Sequence, residues 1–232
     1  MSELYTKHAL KYAEAVKDNV YNAMFERPST LALLDEVSGS DVLDIGCGSG
    51  EYAQWLIEHS AAKVTCLDVS QQMVDIVTER FANKVSAYQQ DIALGLPNER
   101  DDSADLVICP LVLHYIADLT PVFAEIHRVL KQGGYLVFST HHPFADIECS
   151  KTGNYFEREF IEDEWHTIGQ PVAVSFYRRS LTELCQAVSS AGLVIEAITE
   201  GCVDPQIQQV APETHEYLSK NPNFIFMKCR KR

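Results

Sequence analysis

Three glycines at alternate positions, Gly46, Gly48 and Gly50, follow the apolar run Val42, Leu43 and Ile45 and open onto a helical pattern from Glu51. Such a turn lets the backbone take positive φ and lets a ligand approach closer than any Cβ would allow. A strand, a glycine turn and a helix together suggest a nucleotide-bearing cofactor. The dinucleotide fingerprint needs a further glycine where this chain has Glu51. A carboxylate at a helix start repels a pyrophosphate, so a nicotinamide-dependent oxidoreductase is disfavoured.

Acids at the ends of apolar runs extend the pattern. Asp44 lies inside the glycine motif, Asp68 ends the second run and Asp91 ends the third. In an open parallel sheet, ligands bind beyond the carboxyl ends of the strands where strand order reverses, so these acids converge on one crevice. Asp68 can there accept both ribose hydroxyls, and Asp91 an adenine amino group. Alone, each aspartate reads as a turn or cap residue; with the glycine turn they describe a seat for a cation bearing a nucleoside. His114 beyond the fourth run, and His141 and His142 beyond the fifth, are candidates to take a proton from an amine or phenol. Adjacent residues on an extended chain point apart, so His141, His142, Asp146 and Glu148 are not expected to hold a metal.

The elements that must position these groups follow from periodicity. Strands are expected at 42–45, 64–67, 85–89, 106–109 and 135–139, with helices from Glu51, Ser70 and Thr120, a βαβ rhythm that implies a parallel sheet. The helix opened by Thr120-Pro121 is expected to run to Lys131 and stop at Gly133-Gly134. Upstream, a helix over 4–18 presents Leu4, His8, Tyr12, Ala15 and Val16 on one face, and Pro28-Ser29-Thr30 reads as the start of another. Together they suit a cap over the site.

Between 141 and 179 the rhythm stops. Stretches 155–161 and 172–177 alternate and are rich in β-branched and aromatic residues, predicting a small antiparallel insertion. It brings Phe144, Tyr155, Phe156, Phe160, Trp165, Phe176 and Tyr177, with Arg158, Arg178 and Arg179 able to pair with a carboxylate. Ser180-Leu-Thr-Glu183 is a capping box that restarts a helix to about Ala191, before strands at 194–199 and 223–229 and a short helix at 215–220.

Composition narrows the partners. A net charge of -14 and a pI near 4.9 oppose the phosphate backbone of nucleic acids. No apolar stretch approaches the ~18 to 20 residues that span a bilayer. Seven cysteines without a CxxC pair, and no secretory leader, lead us to expect reduced thiols and a cytoplasmic protein.

On VLDIGCGSG, the acidic end of CLDVS, QQDI, DLVICPLVLHYI and VLKQGGYLVFST, in that order over 42–140, the chain resembles the class I S-adenosylmethionine-dependent methyltransferases of the small-molecule type. The resemblance implies an α/β Rossmann-like fold: a mostly parallel seven-stranded sheet with helices on both faces, an N-terminal helical cap (1–40), a cofactor-binding core (41–140), a lid-like insertion (141–179) and a C-terminal completion (180–232). It further implies that Asp44 and the turn of Gly46, Cys47, Gly48 and Gly50 hold the methionine part, with the region of Tyr12, Tyr21 and Arg27 folding over it, Tyr21 and Arg27 foremost. Asp68 would hold the ribose, Val69 and Met73 would flank the nucleoside, and Asp91, Ile92, Cys109 and Pro110 would line the adenine pocket. Base-methylating relatives carry Asn or Asp before two prolines where this chain has Cys109-Pro110-Leu111, which favours a small-molecule acceptor over DNA. The implied reaction moves a methyl group in line to an O, N, S or C nucleophile, leaving S-adenosylhomocysteine, with His114 and His142 as candidate bases. A cofactor-binding regulator without catalysis is the alternative.

Overall fold

The computed structural model describes residues 2–232. After a single turn at Glu3–Tyr5 comes α1 (Ala9–Ala15), which buries Ala9 and Ala13; of the expected face, Leu4 and Val16 are buried and His8, Tyr12 and Ala15 half-buried. Asn19 then caps a wide π-type helix, Val20–Glu26, that runs straight into α2 (Arg27–Leu31). Pro28 therefore marks a junction inside a helical segment and not the start of one. Lacking an N–H, it sits where the hydrogen-bond ladder changes register. The residues after Leu31 leave the helix, and Asp35 N–H donates to the Tyr135 hydroxyl at 2.9 Å.

The core then alternates as the periodicity predicts: β1 (Asp41–Ile45), α3 (Glu51–Glu58), β2 (Lys63–Asp68), α4 (Gln71–Phe81), β3 (Ser86–Gln89), β4 (Ala104–Pro110), α5 (Thr120–Val129) and β5 (Leu130–His141). A hairpin, β6 (Glu159–Trp165) and β7 (Val172–Arg178), interrupts it. The chain closes with α6 (Leu181–Ser190), β8 (Leu193–Thr199), α7 (Ile207–Val210), α8 (Pro212–Leu218) and β9 (Phe224–Lys231). The sheet has seven strands in the order β3-β2-β1-β4-β5-β9-β8. β9 runs antiparallel to both its neighbours while the first five strands are parallel.

Period-two alternation divides the core between two faces. Leu43, Ile45, Val107 and Phe138 face α5 and α6 through Phe123, Ile126, Leu184 and Val188. Val42, Val64, Leu106 and Val137 face α3 and α4 through Ala53, Leu56 and Val77. With both faces covered, the strands read as apolar runs, which is why they were legible.

Three boundaries differ from expectation: β6 starts at Glu159 and not at 155, α8 starts at Pro212 and not at 215, and the end of α5 moves. α5 ends at Val129, and residues 130–134 already belong to β5. Lys131 does not close the helix; its Nζ lies 2.9 Å from Asp41 Oδ2 and 2.8 Å from Asp105 Oδ2, tying the start of β5 to β1 and β4. Gly134 serves close approach, since a Cβ there would stand 2.9 Å from the Lys131 carbonyl and 3.1 Å from that of Asp105.

The N-terminal segment is stitched to the hairpin. Ser2 Oγ donates to the Ala173 carbonyl at 2.8 Å, and Leu4 is buried against Val172 and Val174. Within the hairpin Arg178 is fully buried, its Nε donating to Glu159 Oε2 at 2.7 Å and its remaining nitrogens to the carbonyls of Asn154, Tyr155 and Glu157. That arginine is structural. α6 begins on the expected cap, with Ser180 Oγ accepting from Glu183 N–H at 3.2 Å. Ser180→Ala is expected to cost about 1 kcal/mol, read as a lower urea midpoint at unchanged slope.

Candidate active site at the carboxyl ends of the strands

Beyond Ile45 the chain turns sharply, with φ of +72° at Gly46, +52° at Gly48 and +84° at Gly50. The N–H groups of Gly46 and Cys47 donate to the Leu67 carbonyl at 2.7 and 3.0 Å, fixing the turn to β2. At Gly46 a Cβ would fall 2.1 Å from Val112 Cγ2, and at Gly50 it would meet the Phe81 ring at 2.5 Å. At Gly48 it would meet nothing within 4 Å, because that residue faces a cavity.

The cavity measures about 700 Å³, within the range of small-molecule and cofactor sites. The structure brings Arg27, Gly46, Cys47, Gly48, Asp68, Val69, Met73, Asp91, Ile92 and Pro110 together on its wall. Four residues named with them stand off it. Tyr21 is 40 % exposed, Cys109 is buried in the core, Gly50 caps α3, and Asp44 is fully buried outside the wall. Glu51 is on the wall, with its charge paired to Arg80.

Asp68 is held by backbone donors. Its Oδ2 accepts from Gly48 N–H at 3.0 Å and its Oδ1 from Ser70 N–H at 2.8 Å. Burial pushes this carboxyl up, while those bonds pull it back. Asp91 Oδ1 accepts from Ala93 N–H at 2.9 Å, turning the chain so that Ile92 enters the wall. Asp44 has no donor to either oxygen. Burial pushes it up to about 8, and the neighbouring Asp68 and Glu26 add to the shift.

Sequence reasoning missed Glu26 and, of the tyrosine roof, Tyr5 and Tyr115; Tyr12 lies on the wall as the resemblance implied. Glu26 lies on the wall, 3 % exposed, and accepts from Thr30, Tyr52 and Ser139 hydroxyls. Tyr5, Tyr12 and Tyr115 also line the cavity. The Tyr5 and Tyr115 hydroxyls are 2.5 Å apart, and Ser70 Oγ donates to the Tyr5 carbonyl at 2.6 Å. No local pattern announces these contacts, which join segments 65 to 113 residues apart. Leu111, at the cavity edge, takes φ +53°, an unusual state for a branched residue.

The histidines lie elsewhere. His114 is 3 % exposed, stacks on His141 at 3.9 Å and lines a separate small cavity with Asp146 and Arg179. Burial holds it well below the ordinary imidazole range. His142 accepts from Phe144 N–H at 3.1 Å and stands 3.2 Å from Glu200. Neither is on the large cavity's wall. Among the described residues, no three His, Cys, Asp or Glu side chains gather as a metal site.

An acid-rich cavity with a bare glycine cradle and an orphaned buried carboxyl fits a cofactor with a nucleoside and a cationic arm. Comparisons agree with the fit. Residues 43–138 match the methyltransferase domain family. A solved S-adenosylmethionine-dependent methyltransferase from Mesorhizobium loti is 28 % identical, with a TM-score of 0.72, over 89 % of this chain and 97 % of that one. Residues 43–138 are a class I S-adenosylmethionine-dependent methyltransferase domain. Its cofactor is S-adenosylmethionine. A Haemophilus influenzae protein described as uncharacterized is 27 % identical over 90 % of this chain and 88 % of its own length. A malonyl-[acyl-carrier protein] O-methyltransferase of Marinomonas is 38 % identical over 52 % of this chain, which spans only 45 % of that relative.

The Asp44 carboxyl gives this methyltransferase a pH signature. Its folded value lies above its unfolded one, so its contribution to stability is full below about pH 4 and is lost as pH rises through about 8. The loss runs at up to about 1.4 kcal/mol per pH unit. In the ligand-free protein, the melting temperature of Asp44→Asn relative to the unmodified chain should climb from pH 5 to pH 8 and level off above; thermal scans across that range check it.

Proposed function

We propose that the chain transfers the methyl group of S-adenosylmethionine to a small, neutral or cationic acceptor bound between the glycine turn and the hairpin. One observation carries the reading: the cavity continues past the turn onto Tyr12, Leu111, Tyr115, Phe160 and Tyr177, and its one cationic side chain, Arg27, donates to the Val16 carbonyl at 2.9 Å. Aromatic faces suit an apolar or cationic acceptor, worth ~0.5 to 2 kcal/mol where a cation meets a ring. The net charge of -14 supports a small molecule over a nucleic acid.

When bound, the cofactor supplies an electrophilic methyl group on a sulfonium. The chain's own task is to hold the acceptor in line and keep water out, and orientation alone is worth ~7 to 11 kcal/mol. With His114 and His142 off the wall, a histidine base has no place in this reading. Tyr5 and Tyr115, pushed well up by burial, stay protonated and act as hydrogen-bonding walls. All seven cysteines are free, which supports a reducing, cytoplasmic setting. No described helix is long and apolar enough to cross a membrane.

Asp68→Ala should weaken S-adenosylmethionine binding at least tenfold by calorimetry, and unchanged affinity would remove Asp68 from the site. Incubation with methyl-labelled cofactor and a panel of phenols, amines, thiols and carboxylic acids should label a neutral or cationic acceptor. Labelling of carboxylic acids alone would overturn the acceptor class, and silence across the panel would favour a cofactor-binding regulator.

A further inference from the structure

Most acids on the cavity wall are already engaged. Asp68 and Asp91 hold backbone N–H groups, and Glu51 pairs with Arg80. Glu26 is different, because every donor to it is a neutral hydroxyl. Its Oε1 accepts from Thr30 at 2.8 Å, from Ser139 at 2.6 Å and from Tyr52 at 3.0 Å. Its Oε2 accepts only from that same Tyr52 hydroxyl, at 2.9 Å. One hydroxyl has one proton, so Oε2 is left short of a donor, whereas an ionised carboxylate has about four acceptor sites to fill. Arg27, next in the chain, directs its guanidinium at the Val16 carbonyl and is the least of the influences on Glu26. A buried anion with neutral partners alone is costly, and a cationic ligand removes that cost.

Strand order shows which part of the ligand meets it. Asp91 follows β3, Asp68 ends β2 and the glycine turn follows β1, so the nucleoside acids lie toward one side of the sheet. Glu26 lies toward the other side, bonded to Ser139 on β5. Asp44, off the wall with both oxygens orphaned, is pushed up by burial and by the nearby Glu26 and Asp68, so it stays neutral and leaves Glu26 as the carboxyl facing the arm. With a nucleoside on Asp68 and Asp91, the cofactor's amino-acid arm would cross the turn toward β4 and β5, where Glu26 is on the wall with one oxygen short of a donor.

We propose that Glu26 is the recognition site for the α-ammonium of the cofactor's amino-acid arm; the assignment rests on the cofactor reading above. Three hydroxyls hold Glu26 in place and leave one oxygen for the cation. Glu26 then reads the arm, apart from the acids assigned to the nucleoside.

Three probes separate these parts: S-adenosylhomocysteine, decarboxylated S-adenosylmethionine, which keeps the ammonium without the carboxylate, and 5′-methylthioadenosine, which lacks the arm. By calorimetry, Glu26→Gln should weaken the first two at least tenfold and leave the third within twofold, that third affinity also reporting an intact fold. Equal weakening of all three would make Glu26 a prop of the fold and overturn the proposal, as would unchanged affinity for the first two. A measurement on the unmodified protein covers a variant that fails to fold. N-acetylation of S-adenosylhomocysteine, which removes the ammonium charge, should cost at least tenfold in affinity, and equal affinity would overturn the assignment. If the unmodified protein binds none of the probes, the cofactor reading itself falls and this inference with it.

Discussion

Three carboxyls, Glu26, Asp44 and Asp68, are buried, Glu26 and Asp68 both close enough to push Asp44 up, and none has a cationic side chain in direct contact. A globular protein of this size is stable by a margin of only ~5 to 15 kcal/mol, so such a cluster is a large liability. The fold manages it in three ways. Asp68 takes two backbone N–H groups, Glu26 takes hydroxyls from three elements, and Asp44 is held protonated up to about pH 8. Each device leaves acceptor capacity unused, which is how a binding site differs from a core.

The sheet makes the cluster possible. Parallel pairing of β1 with both β2 and β4 brings several strand ends to one edge, and period-two alternation sends apolar side chains into both faces. The turn after β1 can then crowd against its neighbours. Val112 occupies the space a side chain on Gly46 would need, and the preceding Leu111 takes a left-handed conformation held by its N–H bonds to Ser139. The local strain is offset by the rigidity of the buried strands on either side.

Much of this was legible in the chain itself. The glycine spacing, Asp68 and Asp91 could be placed because strand ends follow from apolar runs, and the Ser180 cap because its partner is three residues away. Tyr21, named by the resemblance alone, lies off the wall on the π-type helix Val20–Glu26, where no local pattern sets its direction. His114 sits in a tight turn, Leu113–Tyr115, that carries it to the side opposite the large cavity, while the next residue, Tyr115, reaches the wall. Glu26 and Tyr5 were invisible because their roles are set by partners far along the chain, Ser139 and Tyr115.

The Ser2–Ala173 contact, 171 residues apart in sequence, has a consequence for how the molecule forms. Residues 2–5 cannot close over the cavity until the hairpin has been made, and closing so long a loop carries an entropic cost. Strands β1 to β5 can pair before that. A ligand enclosed by the roof cannot act as a template for the sheet; it selects the finished molecule and, by binding only that state, draws the last closure toward completion.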